Sequence, residues 1–123
     1  MKQIILLVII FFSNNARGQL SELQIDTIAN TIWRIEGGTN TTHPYGVISI
    51  KTNNAREVCK NTIKNNYARC QKAGETNYFK FLASLYCPVK GDKTNLNKNW
   101  YNNLIRILGK EFCEKVNKSL DKR

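Results

Sequence analysis

The chain has a single histidine, His43, no CxxC pair and no Gly-rich phosphate loop. Each absence closes off a class of chemistry. Without clustered ligands a structural or catalytic metal site is not expected, and no cofactor is expected. A Ser/His or Cys/His dyad would rest entirely on His43, which precedes Pro44 in a polar loop. The longest apolar run, Ile4–Phe12, has nine residues. A membrane-spanning helix needs about 20. Acidic residues are also scarce, 9 against 19 Lys and Arg, and the stretch Thr39–Asn54 contains none.

What is present begins with a secretory pattern. Lys2 precedes the apolar run, and Ala16 and Gly18 place small residues at −3 and −1 of a cleavage site before Gln19. This reads as a signal peptide over 1–18, a single domain over 19–123 and a secreted or periplasmic location. No stable membrane span is expected after cleavage. Loss of Lys2 and Arg17 takes the net charge from +10 to +8. That excess favours an anionic partner such as a cell-wall polymer, a membrane surface or nucleic acid. No recognised motif supports nucleic acid, although Tyr67, Tyr78, Trp100 and Tyr101 are rings on which bases could stack.

Cys59, Cys70, Cys87 and Cys113 make an even count in a short exported chain, which predicts two disulfides. Cys59 and Cys70 fall on one predicted helix, about 16 Å apart along its axis. A disulfide tolerates about 7 Å between Cα atoms, so that pairing is excluded. Cys59–Cys87 with Cys70–Cys113 is the preferred arrangement, and the crossed one stays open.

The periodicity is helical. Ser21 is a good N-cap, and Ile25, Ile28, Ala29, Ile32 and Ile35 recur at helical spacing. At about 100° per residue, positions 25, 29, 32 and 36 share one narrow sector. Glu36 therefore lies on the apolar face of its own helix, and Gly37-Gly38 ends that helix at once. Tyr45–Ile50 alternates as a short strand or hairpin arm. A second helix is expected over Ala55–Ala73, with Val58, Cys59, Thr62, Ile63, Asn66 and Cys70 inward. Its basic row Arg56, Lys60, Lys64 reads as an outward, solvated face. A third helix starts near Thr76 or Asn77 and stops at Cys87-Pro88, with Phe79, Phe81, Leu82, Leu85 and Tyr86 apolar nearly all round. After the loop Val89–Asn99, one last helix runs from Trp100 towards Asn117. The fold class is mainly α, a helical α+β domain with one small β-hairpin element beside the helix that ends in Glu36.

A general acid must hold its proton at neutral pH, and desolvation by apolar side chains favours the neutral form. Glu36 meets that need, and the two glycines let a ligand approach the backbone closely. Cysteine nucleophiles conflict with the export signal.

Five short patterns, Ile32–Gly38, Pro44–Ile50, Cys59–Asn66, Phe81–Pro88 and Asn99–Asn103, occur in an order that resembles small lysozyme-like proteins. These are related in fold to goose-type lysozymes and soluble lytic transglycosylases. The resemblance spans about residues 28–108. It implies cleavage of the MurNAc–GlcNAc β-1,4 bond of peptidoglycan glycan strands, with Glu36 as catalytic acid and base. Ser49 stands where the larger families have Gln. Tyr45, Ser49, Tyr86, Trp100 and Asn103 are the candidate substrate-binding residues; Tyr45, Tyr86 and Asn103 fit a core role equally well, and Trp100 reads better as core. A partner in secretion or cell-wall machinery fits the same reading.

Two-carboxylate glycosidases hold their acids about 5–5.5 Å apart when retaining and about 6.5–9.5 Å apart when inverting. Asp92 and Glu57 are the nominees for a second carboxylate. The acid-free loop favours a single-glutamate lytic transglycosylase giving 1,6-anhydro products. A hydrolytic lysozyme on the same site, or a non-catalytic basic wall-binding module on the same fold, is the alternative.

Overall fold

The computed structural model describes residues 18–46, 54–91 and 94–122. Residues 1–17 of the expected signal peptide, residues 47–50 of the predicted strand, Ser49 among them, and Asp92 lie outside the described residues. The architecture is mainly helical. Five α-helices occur among the described residues: α1 Glu22–Ile35, α2 Ala55–Lys72, α3 Tyr78–Tyr86, α4 Leu96–Leu108 and α5 Lys110–Ser119. Short 3-10 turns follow α1 (Gly38–Asn40) and α5 (Leu120–Lys122). No strand occurs among the described residues, and Tyr45-Gly46, where the hairpin was expected to begin, is turn and loop. No described helix is long and apolar enough to cross a membrane.

Helix α1 starts as its sequence dictates. Ser21 and Gln24 form a reciprocal capping box, with Gln24 N–H donating to Ser21 Oγ at 3.1 Å and Ser21 N–H to Gln24 Oε1 at 2.9 Å. These bonds satisfy amides that have no partner within the helix. Ile25, Ile28, Ala29 and Ile32 are buried as expected. Gly37, at φ +107°, terminates the helix in a conformation that side chains avoid. Glu36 is thereby the C-cap residue, its amide donating to Ile32 O at 2.9 Å.

Two expectations are corrected. The basic row of α2 does not face solvent alone. Lys60 Nζ lies 3.0 Å from Asp26 and 3.4 Å from Glu22, Lys64 is 3.3 Å from Glu22, and Arg56 is 3.5 Å from Asp26. The row is the α1–α2 seam. Helical spacing shows which residues share a face, but not which neighbour that face meets. The predicted last helix is two, broken at Gly109, whose φ +89° and ψ 155° lie outside helical space. Its amide closes α4 on Ile105 O, and its carbonyl accepts from Cys113 N–H to start α5.

The core joins buried side chains of all five helices, with Tyr78 and Phe79 among the largest. Tyr78 hydroxyl donates to Ile63 O at 3.1 Å, and Tyr67 hydroxyl donates to Val116 O at 3.0 Å. The two rings meet edge to face at 5.0 Å. Helix α4 packs on both α1 and α3, which brings Trp100 to the end of α1.

Candidate functional site

The site is assembled from the ends of α1 and α3 and the inner face of α4. Glu36 is half-buried at its cap position. Trp100, only 6 % exposed, donates its indole N–H to Glu36 Oε1 at 3.3 Å. The indole stacks on the Tyr86 ring, centroids 4.9 Å apart and planes 10° from parallel. Asn97 Nδ2 donates to Cys87 O at 2.7 Å, tying the start of α4 to the end of α3 and holding that stack in register. Behind it, the Tyr86 hydroxyl and the Cys59 thiol pair at 3.6 Å.

Electrostatics leave one acid–base group in this cluster. Burial pushes the Cys59 thiol up, the hydrogen bond to Tyr86 and the charge of Arg56 opposing it only in part. Burial also pushes the Tyr86 phenol far above its ordinary value, with the nearby Cys59 and Glu36 adding to the effect. A neutral thiol and a neutral phenol are poor nucleophiles and bases at neutral pH. The carboxyl of Glu36 is what remains to move a proton.

The loop after α1 closes over this cluster. A Cβ on Gly46 would press on the Tyr86 ring at 3.2 Å, and its φ of +89° is one that side chains avoid, so glycine is favoured there. Tyr45 hydroxyl accepts from Arg56 Nη1 at 3.2 Å. Gly38 likewise lies against the Trp33 ring, 3.0 Å from where its Cβ would be. Beside Tyr86 an open hollow of about 470 Å³ is bordered by Pro88, Lys90, Thr94 and Leu96. Two other hollows, of about 340 and 430 Å³, lie around Tyr67 and around Phe79 and Cys113; neither is lined by Glu36, Tyr86 or Trp100.

Of the residues singled out in the sequence, Glu36, Tyr86 and Trp100 are in one cluster, and Tyr45 joins it through the loop. Asn103 is exposed on α4 and accepts from Arg106 Nη2 at 3.4 Å, away from the Glu36–Trp100 contact. His43 is exposed. Glu57, nominated as a second carboxylate, is 65 % exposed and lies 4.0 Å from Lys60 in the next turn. Among the described residues no group of three or more His, Cys, Asp and Glu is placed to hold a metal ion.

All four cysteines are thiols in the structure, and neither predicted disulfide is formed. Cys59 and Cys70 both lie on α2, which upholds the exclusion of that pair. Burial raises Cys113 to about 11.

Arg56, Asn30 and Cys59 were missed as site residues. Arg56 sits in the basic row, Asn30 on a polar face, and Cys59 among presumed bridges. Only the packing of α1 on α2 brings the first two together beneath Tyr45. Compared with known protein families, curated proteins and solved structures, the chain gives no match.

Proposed function

We propose that the protein is a peptidoglycan-cleaving enzyme in which Glu36 is the single catalytic acid and base. The observation that carries this is the half-buried Glu36 carboxyl held by the Trp100 indole N–H, beside neutral Tyr86 and Cys59. Trp100 engages Oε1 and so orients the carboxyl. Glu36 protonates the glycosidic oxygen as the C1–O bond breaks. Its carboxylate then takes the proton of the C6 hydroxyl as that oxygen bonds to C1, closing a 1,6-anhydro ring. The proton lent to the leaving sugar is recovered, and no water is consumed. The exposed position of Glu57 and the acid-free loop support this one-carboxylate route over the two-carboxylate spacings of lysozymes. The rings of Tyr86 and Tyr45 offer apolar faces to sugar, and the net positive charge suits an anionic wall polymer.

On this reading residues 1–18 are a signal peptide and the enzyme acts in a secreted or periplasmic space. Glu36→Gln is expected to abolish lysis in a peptidoglycan zymogram while the fold and wall binding persist. Mass spectrometry of the muropeptides should find 1,6-anhydro ends. Reducing ends alone would reassign the chemistry to hydrolysis, and lysis unchanged in the variant would remove Glu36 from the mechanism.

A further inference from the structure

The loop that covers the Tyr86–Trp100 stack needs something to hold it. Two of its hydrogen bonds, His43 N–H to Thr41 Oγ1 at 3.3 Å and Gly46 N–H to His43 O at 3.0 Å, are internal and give it shape without fixing its place. Among the described residues Arg56 ties the loop to the helices. One nitrogen of its guanidinium, Nη1, donates to Asn30 Oδ1 at 2.8 Å and to Tyr45 Oη at 3.2 Å. The other, Nη2, reaches Asp26 Oδ1 at 3.5 Å. Asp26 is itself held 3.0 Å from Lys60, so the guanidinium is anchored on two α1 side chains while its free edge meets the loop. Cys59, one turn along α2 from Arg56, feels the charges of both Arg56 and Glu36.

We infer that Arg56 is a positioning residue, which pins Tyr45 and with it the 41–46 loop over Tyr86 and so shapes the sugar-binding side of the Glu36 site. This rests on the glycan-cleaving reading for its catalytic consequence, but not for its structural one. The planar guanidinium is suited to the task because it serves three partners from a rigid fork. A lysine ammonium at the same place keeps the charge near Asp26 but lacks the second arm. Arg56 acts through Tyr45 and touches no reacting atom, so its loss should weaken substrate binding and leave the acid–base step intact.

The test compares Arg56→Gln, Arg56→Lys and Tyr45→Phe in the full chain, with the double variant Arg56→Gln/Tyr45→Phe. Hydrogen exchange at the Gly46 amide reads the loop directly, and amides in the middle of α2 report on the fold. Loss of one charge-assisted hydrogen bond should speed Gly46 exchange by about tenfold in each single variant. The double variant should go no further, and the α2 amides should stay protected. On peptidoglycan, KM should rise severalfold in all three single variants, with kcat changed by less than about twofold. Unchanged Gly46 exchange, additive effects in the double variant, or full restoration by lysine would overturn the inference. A wild-type protein with no glycan-cleaving activity, but with the exchange pattern described, would sink the proposed function and leave the clamp standing.

Discussion

Two aromatic pairs stand on the same helical frame and serve opposite ends. Tyr67 and Tyr78 meet edge to face in the core, and both hydroxyls are spent on backbone carbonyls of other elements, Val116 and Ile63. Tyr86 and Trp100 stack face to face near the surface, and their polar ends meet a thiol and a carboxyl. A buried phenol satisfied by a carbonyl is fully used in holding helices together. An indole N–H aimed at a carboxyl at a helix end orders the group that we propose reacts. The partner of the polar tip, more than the burial of the ring, separates fold from site.

The sharpest break of that contrast is Tyr78→Ala, which empties the centre of the core. It should cost about 3–5 kcal/mol, read as a lowered urea midpoint, with little left folded for assay. Trp100→Phe keeps a ring against Tyr86 but removes the N–H. Peptidoglycan cleavage should fall about tenfold or more, as expected when one preorganised donor is lost, while the thermal midpoint moves only modestly. Tyr78→Phe is its mirror image. Removing that hydroxyl should cost about 1–2 kcal/mol of stability and leave cleavage untouched. If Tyr78→Phe instead impaired cleavage at temperatures where it is folded, the division between the two pairs would fail.

The smallest expected effect concerns the α1–α2 seam. Hydrogen bonding to Lys64 and Lys60 holds the Glu22 carboxyl below its usual range, and hydrogen bonding to Lys60 does the same for Asp26. A depressed folded-state value adds stability that is fully present above the unfolded value and is lost as pH falls through the folded one. Urea midpoints should therefore be flat from neutral pH down to about pH 5 and decline below about pH 4. Glu22→Gln/Asp26→Asn should flatten that decline. Glu22 is exposed and Asp26 partly so, so the change should be small and should shrink further in high salt.

Much of this was legible in the chain. Ser21 and Gln24 announce the start of α1, and Gly37 its end, because capping is local chemistry between residues three or four apart. The inward isoleucines of α1 follow from a 3.6-residue period. That same period places Glu36 at the edge of an apolar face. Tyr67 was not legible as a keystone, since its hydroxyl partner is 49 positions away. Gly109 was read through as helix because Ile107, Leu108 and Phe112 keep a helical spacing across it, and only its backbone conformation reveals the break.

What the sequence by itself determined is the mainly helical class, the first three helices and the presence of one acid at a glycine-terminated helix end, because these depend on short-range spacing and on caps. Tertiary structure alone decided what that acid touches. Trp100 is 64 positions from Glu36, and Arg56 reaches Tyr45, Asn30 and Asp26 only because α2 packs on α1. The reason is physical: a helix carries its side chains at known angles, but the neighbour each angle meets is set by how the apolar faces of separate helices are buried together.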